Sequence, residues 1–511
     1  MAVAPTQDVR TYGNYIGGEW VEAASGETFD VLNPSTEDAI ARVPKGGRED
    51  AHRAVAAARA AFDSGVWSDM DPDERVRIMK SVVDKFIEHE DELAELESMN
   101  AGMTLRATST VVIGYCITHW GYFARHADRP RQEPLEPVAF PTHSYNFVLR
   151  EPVGVCAGII PWNFPLVMAV WKIAPALAMG NTVVLKPASN TPLTALRLAE
   201  LLDETDLPKG VVNVITGGGE TVGEELASHP DVDKVAFTGS TTVGRRIMQL
   251  ASATIKRCTL ELGGKSPNIV FEDANLDAAV DSALWATFFH QGQVCESGTR
   301  LLLPESIHDD FVERLVARAR QIKLGDALDY DSDMGPLVSE AQRDTVEDYV
   351  RIGREEGARL VLGGKRAEGF DRGYFYEPTI FTDVDNSMRI AQDEIFGPVL
   401  SVIKFKDDDD AIRIANDTMY GLAAAVWSED YDRCLTAAQR IRAGTVWIND
   451  HHLINCVAPF GGFKQSGLGR ELGTYGMDAY TEIKHVHADL SRDPDQKMFG
   501  VLLSEPRPEV D

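Results

Sequence analysis

The sequence predicts an α/β protein in which two parallel-sheet series follow one another, on three observations. From residue 153 short apolar runs recur without strict alternation, as in strands buried on both faces. Each run is followed by a segment of helical period, the pattern of strands joined by crossover helices. The chain's 511 residues exceed what one hydrophobic core usually serves, so two or three domains are expected.

Along the chain, "REDAHRAVAAARAAFDSG" sets Ala51, Ala54, Val55, Ala58, Ala61 and Phe62 on one helical face. "DPDERVRIMKSVVDKFIEHEDELAELESMN" reads as another amphipathic helix, and "PVAFPTHSYNFVLREP" alternates like an exposed strand. The first series then runs strand "VGVCAGIIP", helix "PLVMAVWKIAPALAMG", strand "NTVVLKP", helix "TPLTALRLAELLDET" and strand "GVVNVITGG". A helix through 229, strand "KVAFTG" and helix "STTVGRRIMQLAS" complete it. "KSPNIVFEDANLD" restarts the pattern, and the second series continues to about residue 465. Aspartates 407–410 precede "AIRIAND" and favour a helix start through its dipole, not a metal. After residue 485 a short apolar island, "MFGVLL", stands among charges and calls for a partner surface.

Composition removes several function classes. A chain with 44% apolar and 25% charged residues and no low-complexity tract is globular. A formal net charge of −29 repels phosphate backbones, so no nucleic-acid partner is expected. The start "MAVAPTQDVR" lacks a basic segment followed by an apolar one, and no apolar run approaches membrane-spanning length, so a cytoplasmic location and no membrane partner are expected. The six cysteines, at 116, 156, 258, 295, 434 and 456, form no CxxC pair and have no His at ligand spacing; neither disulfides nor a metal site is expected.

Five short stretches carry the chemistry. "GGGETVG" (217–223) follows a strand and opens a helix, but its spacing is one residue longer than the dinucleotide fingerprint, and a plain tight turn explains it equally well. "VAFTGST" ends a strand at Gly239 and Ser240, where the next helix offers unpaired N–H groups to an anion. In "HQGQVCESGTR", Gly292 stops a helix whose buried side carries Val280, Leu284 and Phe288, so Cys295 is released at its exit as a reachable thiol or a structural one. "LELGGKSP" puts Glu261 in an apolar strand, costly unless used or paired, ahead of two glycines that allow another backbone close. "IIPWNFP" presents Asn163, an amide that either caps a turn or donates to an oxyanion.

Taken together these stretches resemble the aldehyde dehydrogenase superfamily. The matching segments include "PWNFPLVMAVWKIAPALAMGNTVVLKPAS", "NVITGGGETVG", "KVAFTGSTTVG", "LELGGKSPNIVF", "FFHQGQVC", "EIFGPVL", "GTVWIND" and "PFGGFKQSGLGRELG". They occur in the family's order, from "YIGGEW" to "YTEIKHV". The resemblance implies NAD- or NADP-dependent oxidation of an aldehyde to a carboxylic acid. It also implies a Rossmann-like coenzyme domain (1–128 and 152–263), a catalytic domain (264–468), and an oligomerisation arm with C-terminal tail (129–151 and 469–511). The arm would join the strand near 143–150 to one near 480–488, in a homodimer or homotetramer.

Residue by residue, the resemblance makes Cys295 the nucleophile that forms a thiohemiacetal. Asn163 and the Cys295 N–H would hold the oxyanion, a contact typically worth roughly 3–4 kcal/mol of barrier. Glu261 would be the general base for thioester hydrolysis. Lys186 and Ser189 would meet the adenosine ribose, Gly239 and Ser240 the pyrophosphate, and Glu394 and Phe396 the nicotinamide ribose. Gly217, Gly219 and Gly223 match the family's own glycine turn. Ser189 stands where many NAD-preferring relatives carry a glutamate, so NADP should be tolerated. Phe164, Met168, Trp171, Phe289, Ile454 and Phe460 would line an apolar substrate pocket. The loop 447–460 has no arginine for a substrate carboxylate. A neutral aliphatic or aromatic aldehyde is therefore expected before a semialdehyde acid, with a quaternary-ammonium aldehyde open through cation–π contact with Trp171. Glu296 departs from the small or apolar residue of many relatives and is expected to point away from the sulfur. A non-redox thiol acyltransferase using Cys295 with His290 is the rival reading, but it would not need Lys186, Glu394 or the glycine turns.

Overall fold

A computed structural model of the chain describes residues 9–140, 143–505 and 507. The readings of the first eight residues, of part of the 137–152 segment and of the last few tail positions lie outside these. The first large sheet has eight strands, in spatial order Gly467–Leu468, Arg257–Glu261, Lys234–Thr238, Val155–Ile159, Thr182–Lys186, Val212–Val214, Asn14–Ile16 and Glu19–Val21. Its central strands are parallel and its edges antiparallel. Both faces are covered, which is why the strands do not alternate. Cys156, Val183 and Leu185 pack with the helices Pro165–Ala178 and Leu193–Asp203. Val155, Ala157 and Val184 meet the helices Arg48–Asp63 and Thr241–Ala251 on the other side. The helix Pro165–Ala178 is buried along its whole length, as its unbroken apolar sequence requires.

The second sheet has seven strands, in the order Arg359–Leu362, Thr379–Thr382, Val399–Phe405, Arg300–Pro304, Pro267–Val270, Ala423–Trp427 and Thr445–Ile448. All pairs are parallel except the first. A three-stranded antiparallel arm joins Gln132–Pro134, Ser144–Pro152 and Thr481–Asp489, in register from Thr481 opposite Pro152 to Asp489 opposite Ser144. The α/β class and its parallel sheets match the expectation. Among the described residues no helix is long and apolar enough to cross a membrane.

Two local differences have physical causes. The helical pattern after residue 71 is two helices, Pro72–Glu88 and Glu90–Ala101, because His89 leaves helical geometry at φ −116° and ψ 22°. His89 closes one helix through its N–H to the Lys85 carbonyl and starts the next through its own carbonyl to Leu93. Near the C-terminus, Gly467–Leu468 returns to the edge of the first sheet. Leu472, Met477 and Tyr480 then pack into that sheet's core, so this stretch lies with the first sheet and the arm strand proper begins at Thr481.

Candidate active site

The helix Leu276–Phe288 starts at Asn275, whose side chain accepts from the Ala278 N–H at 3.1 Å. Its exit is abrupt: His290, Gln291 and Gly292 take φ of 48°, 58° and 72°, three consecutive left-handed residues. Such geometry persists only where surroundings enforce it. The Gln291 amide donates to the Gly102 carbonyl at 2.8 Å, and a Cβ on Gly292 would lie 2.2 Å from the Gly397 carbonyl oxygen. Gly292 is therefore the stop the sequence suggested, needed for both its φ and the close approach. Cys295 emerges half-buried three residues later. The buried Asn163 amide donates to the Gln293 carbonyl at 2.8 Å, next to the turn that carries the thiol.

Glu261 ends its strand buried, and neither carboxylate oxygen has a hydrogen-bond partner among the described residues. Burial pushes its pKa well above the usual carboxylate range, and Glu471 adds to the rise against Lys172 and Arg470. The two glycines that follow do what their small size permits. A Cβ on Gly263 would strike the Glu394 carboxylate at 2.2 Å, and one on Gly264 would strike the Cys295 carbonyl oxygen at 2.3 Å. The Gly264 N–H donates to Glu394 at 3.0 Å, and burial raises the Glu394 pKa to about 7. Glu261, Cys295 and Glu394 thus meet around one glycine pair.

They open on one cavity of about 250 Å³. Its wall brings together the predicted Asn163, Phe164, Met168, Trp171, Gly239, Ser240, Glu261, Phe289, Cys295, Glu394, Phe396, Ile454 and Phe460. Trp171 is fixed by donating to His119 Nδ1 at 2.8 Å and by an edge contact to Phe460. The residues the sequence reading missed are Tyr115, Trp285, Gln342 and His452. Tyr115 lies on the helix Ile113–Arg125 and Trp285 on the helix Leu276–Phe288, and helical period carries no signal for which residue faces a cavity. Gln342 donates to the Ile395 and Phe396 carbonyls and holds Phe396 at a left-handed φ of 56°.

Lys186, Ser189, Gly217, Gly219 and Gly223 do not line this cavity but continue the same carboxyl edge of the first sheet. Burial lowers the Lys186 pKa to about 8, and its ammonium donates to the Pro187 carbonyl at 3.0 Å. A Cβ on Gly223 would touch the Lys186 stem at 3.7 Å, whereas Gly219 faces open space. Gly217 takes φ 148° and packs on the Gly46 carbonyl, and Ser189 donates to the Gly217 carbonyl at 3.2 Å. Ser240 caps the helix Thr241–Ala251 by accepting from the Val243 N–H.

One expectation is corrected. Glu296 does not point away: the Cys295 thiol donates to its Oε2 at 3.1 Å, and its Oε1 lies 3.2 Å from His452 Nδ1. A charged side chain seeks solvent unless a partner is buried with it, and His452, 3% exposed, is that partner.

Comparison with known proteins adds independent findings. A model of the aldehyde dehydrogenase family matches residues 20–486. The betaine aldehyde dehydrogenase of Bacillus subtilis (strain 168) is 50% identical over 476 residues, 93% of this chain and 96% of that protein. The mitochondrial aldehyde dehydrogenase of Homo sapiens is 47% identical over 487 residues, 94% of this chain and 93% of that protein. A crystal structure of betaine aldehyde dehydrogenase from Staphylococcus aureus in complex with NAD+ has a TM-score of 0.92 at 44% identity, covering 94% of this chain and 95% of that one.

Proposed function

The chain belongs to the aldehyde dehydrogenase family, and from that premise we propose which of its residues do the work and on which aldehydes. The activity is oxidation of an aldehyde to a carboxylic acid with NAD or NADP, through a thiohemiacetal and a thioester on a cysteine. Cys295 is the nucleophile, Asn163 and the Cys295 N–H hold the oxyanion, and Glu261 takes a proton from the water that hydrolyses the thioester. The single observation that carries this reading is the glycine pair, which seats Glu394 and the Cys295 backbone directly behind Glu261.

The carboxyl edge of the first sheet fits a dinucleotide. Thr238 Oγ1 is buried without a hydrogen-bond partner among the described residues, Gly219 borders open space, and Lys186 and Glu394 are buried ionisable groups, each with one backbone hydrogen bond. Lys186 and Ser189 would hold the adenosine ribose, Gly239 and Ser240 the pyrophosphate, Glu394 and Phe396 the nicotinamide ribose, with Gly217, Gly219 and Gly223 shaping the turn. The bound nicotinamide supplies the hydride acceptor. Coenzyme binding would lie on the first sheet, with Cys295 brought to its carboxyl edge from the second, and residues 129–151 with the strand from Thr481 would form the arm.

Much of the cavity wall is aromatic and aliphatic, and among the described residues no lysine or arginine lines it. Neutral aliphatic or aromatic aldehydes are its substrates. A trimethylammonium aldehyde is the second reading, favoured by the rings of Tyr115, Trp171 and Trp285 together with the acids Glu261, Glu296 and Glu394 in one wall. NAD(P)H absorbance with an aldehyde panel, run with and without CoA, tests both. Turnover that needs CoA, or that Cys295→Ala retains, would overturn the hydrolytic assignment. The arm supports assembly as a homodimer or homotetramer. Six free thiols, one of them a nucleophile, suit the reducing cytoplasm.

A further inference from the structure

The Cys295 thiol touches no water-exposed base; it touches Glu296 Oε2, and Glu296 touches His452. His452 Nε2 lies 3.2 Å from the Ala286 carbonyl, which can only accept, so Nε2 carries a proton. The Nδ1 to Oε1 contact then needs one proton of its own, shared as imidazolium with carboxylate or imidazole with carboxylic acid. Glu296 is 5% exposed, and the two rings of Trp285 and Phe289 close over His452.

We infer that Glu296, positioned by His452, is the base that takes the Cys295 proton as the thiol attacks the aldehyde. This rests on Cys295 being the nucleophile and adds a group to that step. The S–H bond breaks with its electron pair left on sulfur, and the proton forms an O–H bond at Glu296 Oε2. That pair makes the S–C bond, and the carbonyl π pair moves to oxygen, beside Asn163. Nothing is oxidised or reduced in this step. Glu296 becomes neutral as the oxyanion forms, so its charge no longer opposes the sulfur, and His452 Nδ1 stays in contact with its Oε1.

The electrostatics agree with transfer inside the group. Burial pushes the thiol pKa well up, with Glu296, Glu394 and Glu261 adding, so release of its proton to solvent is unfavourable at neutral pH. Burial also opposes ionisation of Glu296, but the hydrogen bond and charge of His452 overcome it and hold Glu296 below its ordinary value. The other groups facing the pair are His451, whose Nε2 meets the Glu296 carbonyl at 3.0 Å, and Tyr115, whose hydroxyl donates to the His452 carbonyl at 3.3 Å. His451 is kept neutral by burial, and Asp450 lies beyond Tyr115.

The test is the rate of Cys295 alkylation by iodoacetamide between about pH 6 and 8, read by mass spectrometry on the full-length enzyme. Transfer within the pair exchanges no proton with solvent, so the wild-type rate should stay nearly constant over that range. In Glu296→Gln it should climb about tenfold per pH unit, as a lone thiol does below its pKa, and kcat/KM near pH 7 should fall about tenfold or more. His452→Gln keeps a donor but no charge. With the same assay carried down to about pH 4, it should raise the Glu296 pKa and move the acid edge of the flat region up by about one unit or more. A wild-type rate that already climbs tenfold per unit, or a Glu296→Gln enzyme that is faster at every pH, would show that Glu296 only holds the thiol protonated. Should Glu296→Gln fail to fold, the His452→Gln edge decides: an unmoved edge overturns the inference. Turnover retained by Cys295→Ala would instead sink the nucleophile assignment beneath it.

Discussion

A carboxylate whose burial favours its neutral form becomes a base only as pH rises. Glu261 is such a group, so thioester hydrolysis should accelerate with pH through its raised pKa. Glu261→Gln should abolish that rise and, because its task follows hydride transfer, leave a pre-steady-state burst of NAD(P)H with acyl-enzyme accumulating. A loss of the burst itself would move Glu261 to thiol activation. Cofactor choice is a second matter for one side chain. With Ser189 in place of an acid, a 2′-phosphate escapes a like-charge contact worth on the order of 1–4 kcal/mol. Ser189→Glu should therefore shift the NAD to NADP ratio of kcat/KM about tenfold toward NAD. An unchanged ratio would mean that Ser189, now bonded to the Gly217 carbonyl, does not reach the ribose.

Helices are joined by another buried acid. Glu97, on the helix Glu90–Ala101, accepts from the Leu166 N–H at 3.2 Å and from the Thr194 hydroxyl at 2.6 Å, tying together three helices that back the substrate wall. Burial raises its pKa to about 7 against those two hydrogen bonds. The unfolded chain then loses this proton first, from about pH 4.5, so the stabilisation is complete below that value and is lost as pH rises through about 7. Unfolding free energies of wild type and Glu97→Gln from urea titrations, compared at pH 5 and 8, should diverge by about 2.5 kcal/mol in the variant's favour; parallel curves would mean that water already solvates Glu97. At this scale the sequence was most legible where pattern and burial coincide. Ala51 to Ala61 and the strand–helix alternation announced their elements because each buried one face or both. The break at His89 was not legible, since a left-over capping geometry changes no hydrophobic period. Nor were Tyr115 and His452, whose roles come from contacts across the chain, as with Tyr115 to the His452 carbonyl.

The molecule as a whole carries one surface that asks for company. Phe499, Val501, Leu502 and Leu503 are exposed by 58%, 81%, 86% and 67%, and the arm strand Thr481–Asp489 runs just before them. If this tail lies on a second copy of the chain, ending the protein at Asp493 should shift the assembly to smaller species in sedimentation velocity; an unchanged mass would free the tail from that role. The proposed catalytic residues come from short motifs, and the structure brings them to one cavity, whereas the contact between Glu296 and Cys295 was misread because solvent preference says nothing about a buried histidine arriving from residue 452.

The glycine pair Gly263–Gly264 leaves the two halves of the active site no slack. Glu394 sits against one glycine and hydrogen-bonds the other, and the Cys295 carbonyl abuts that second glycine. A dinucleotide that displaces Glu394 is therefore expected to press on the thiol's backbone through the glycine pair, and a modified thiol on Glu394. Thermodynamic reciprocity fixes the outcome: whatever factor a reversible ligand at the Cys295 sulfur imposes on the NAD dissociation constant, NAD imposes the same factor on that ligand. Calorimetric titrations closing that cycle should give a factor of about five or more, and a factor of one would show that the glycines separate the two sites after all.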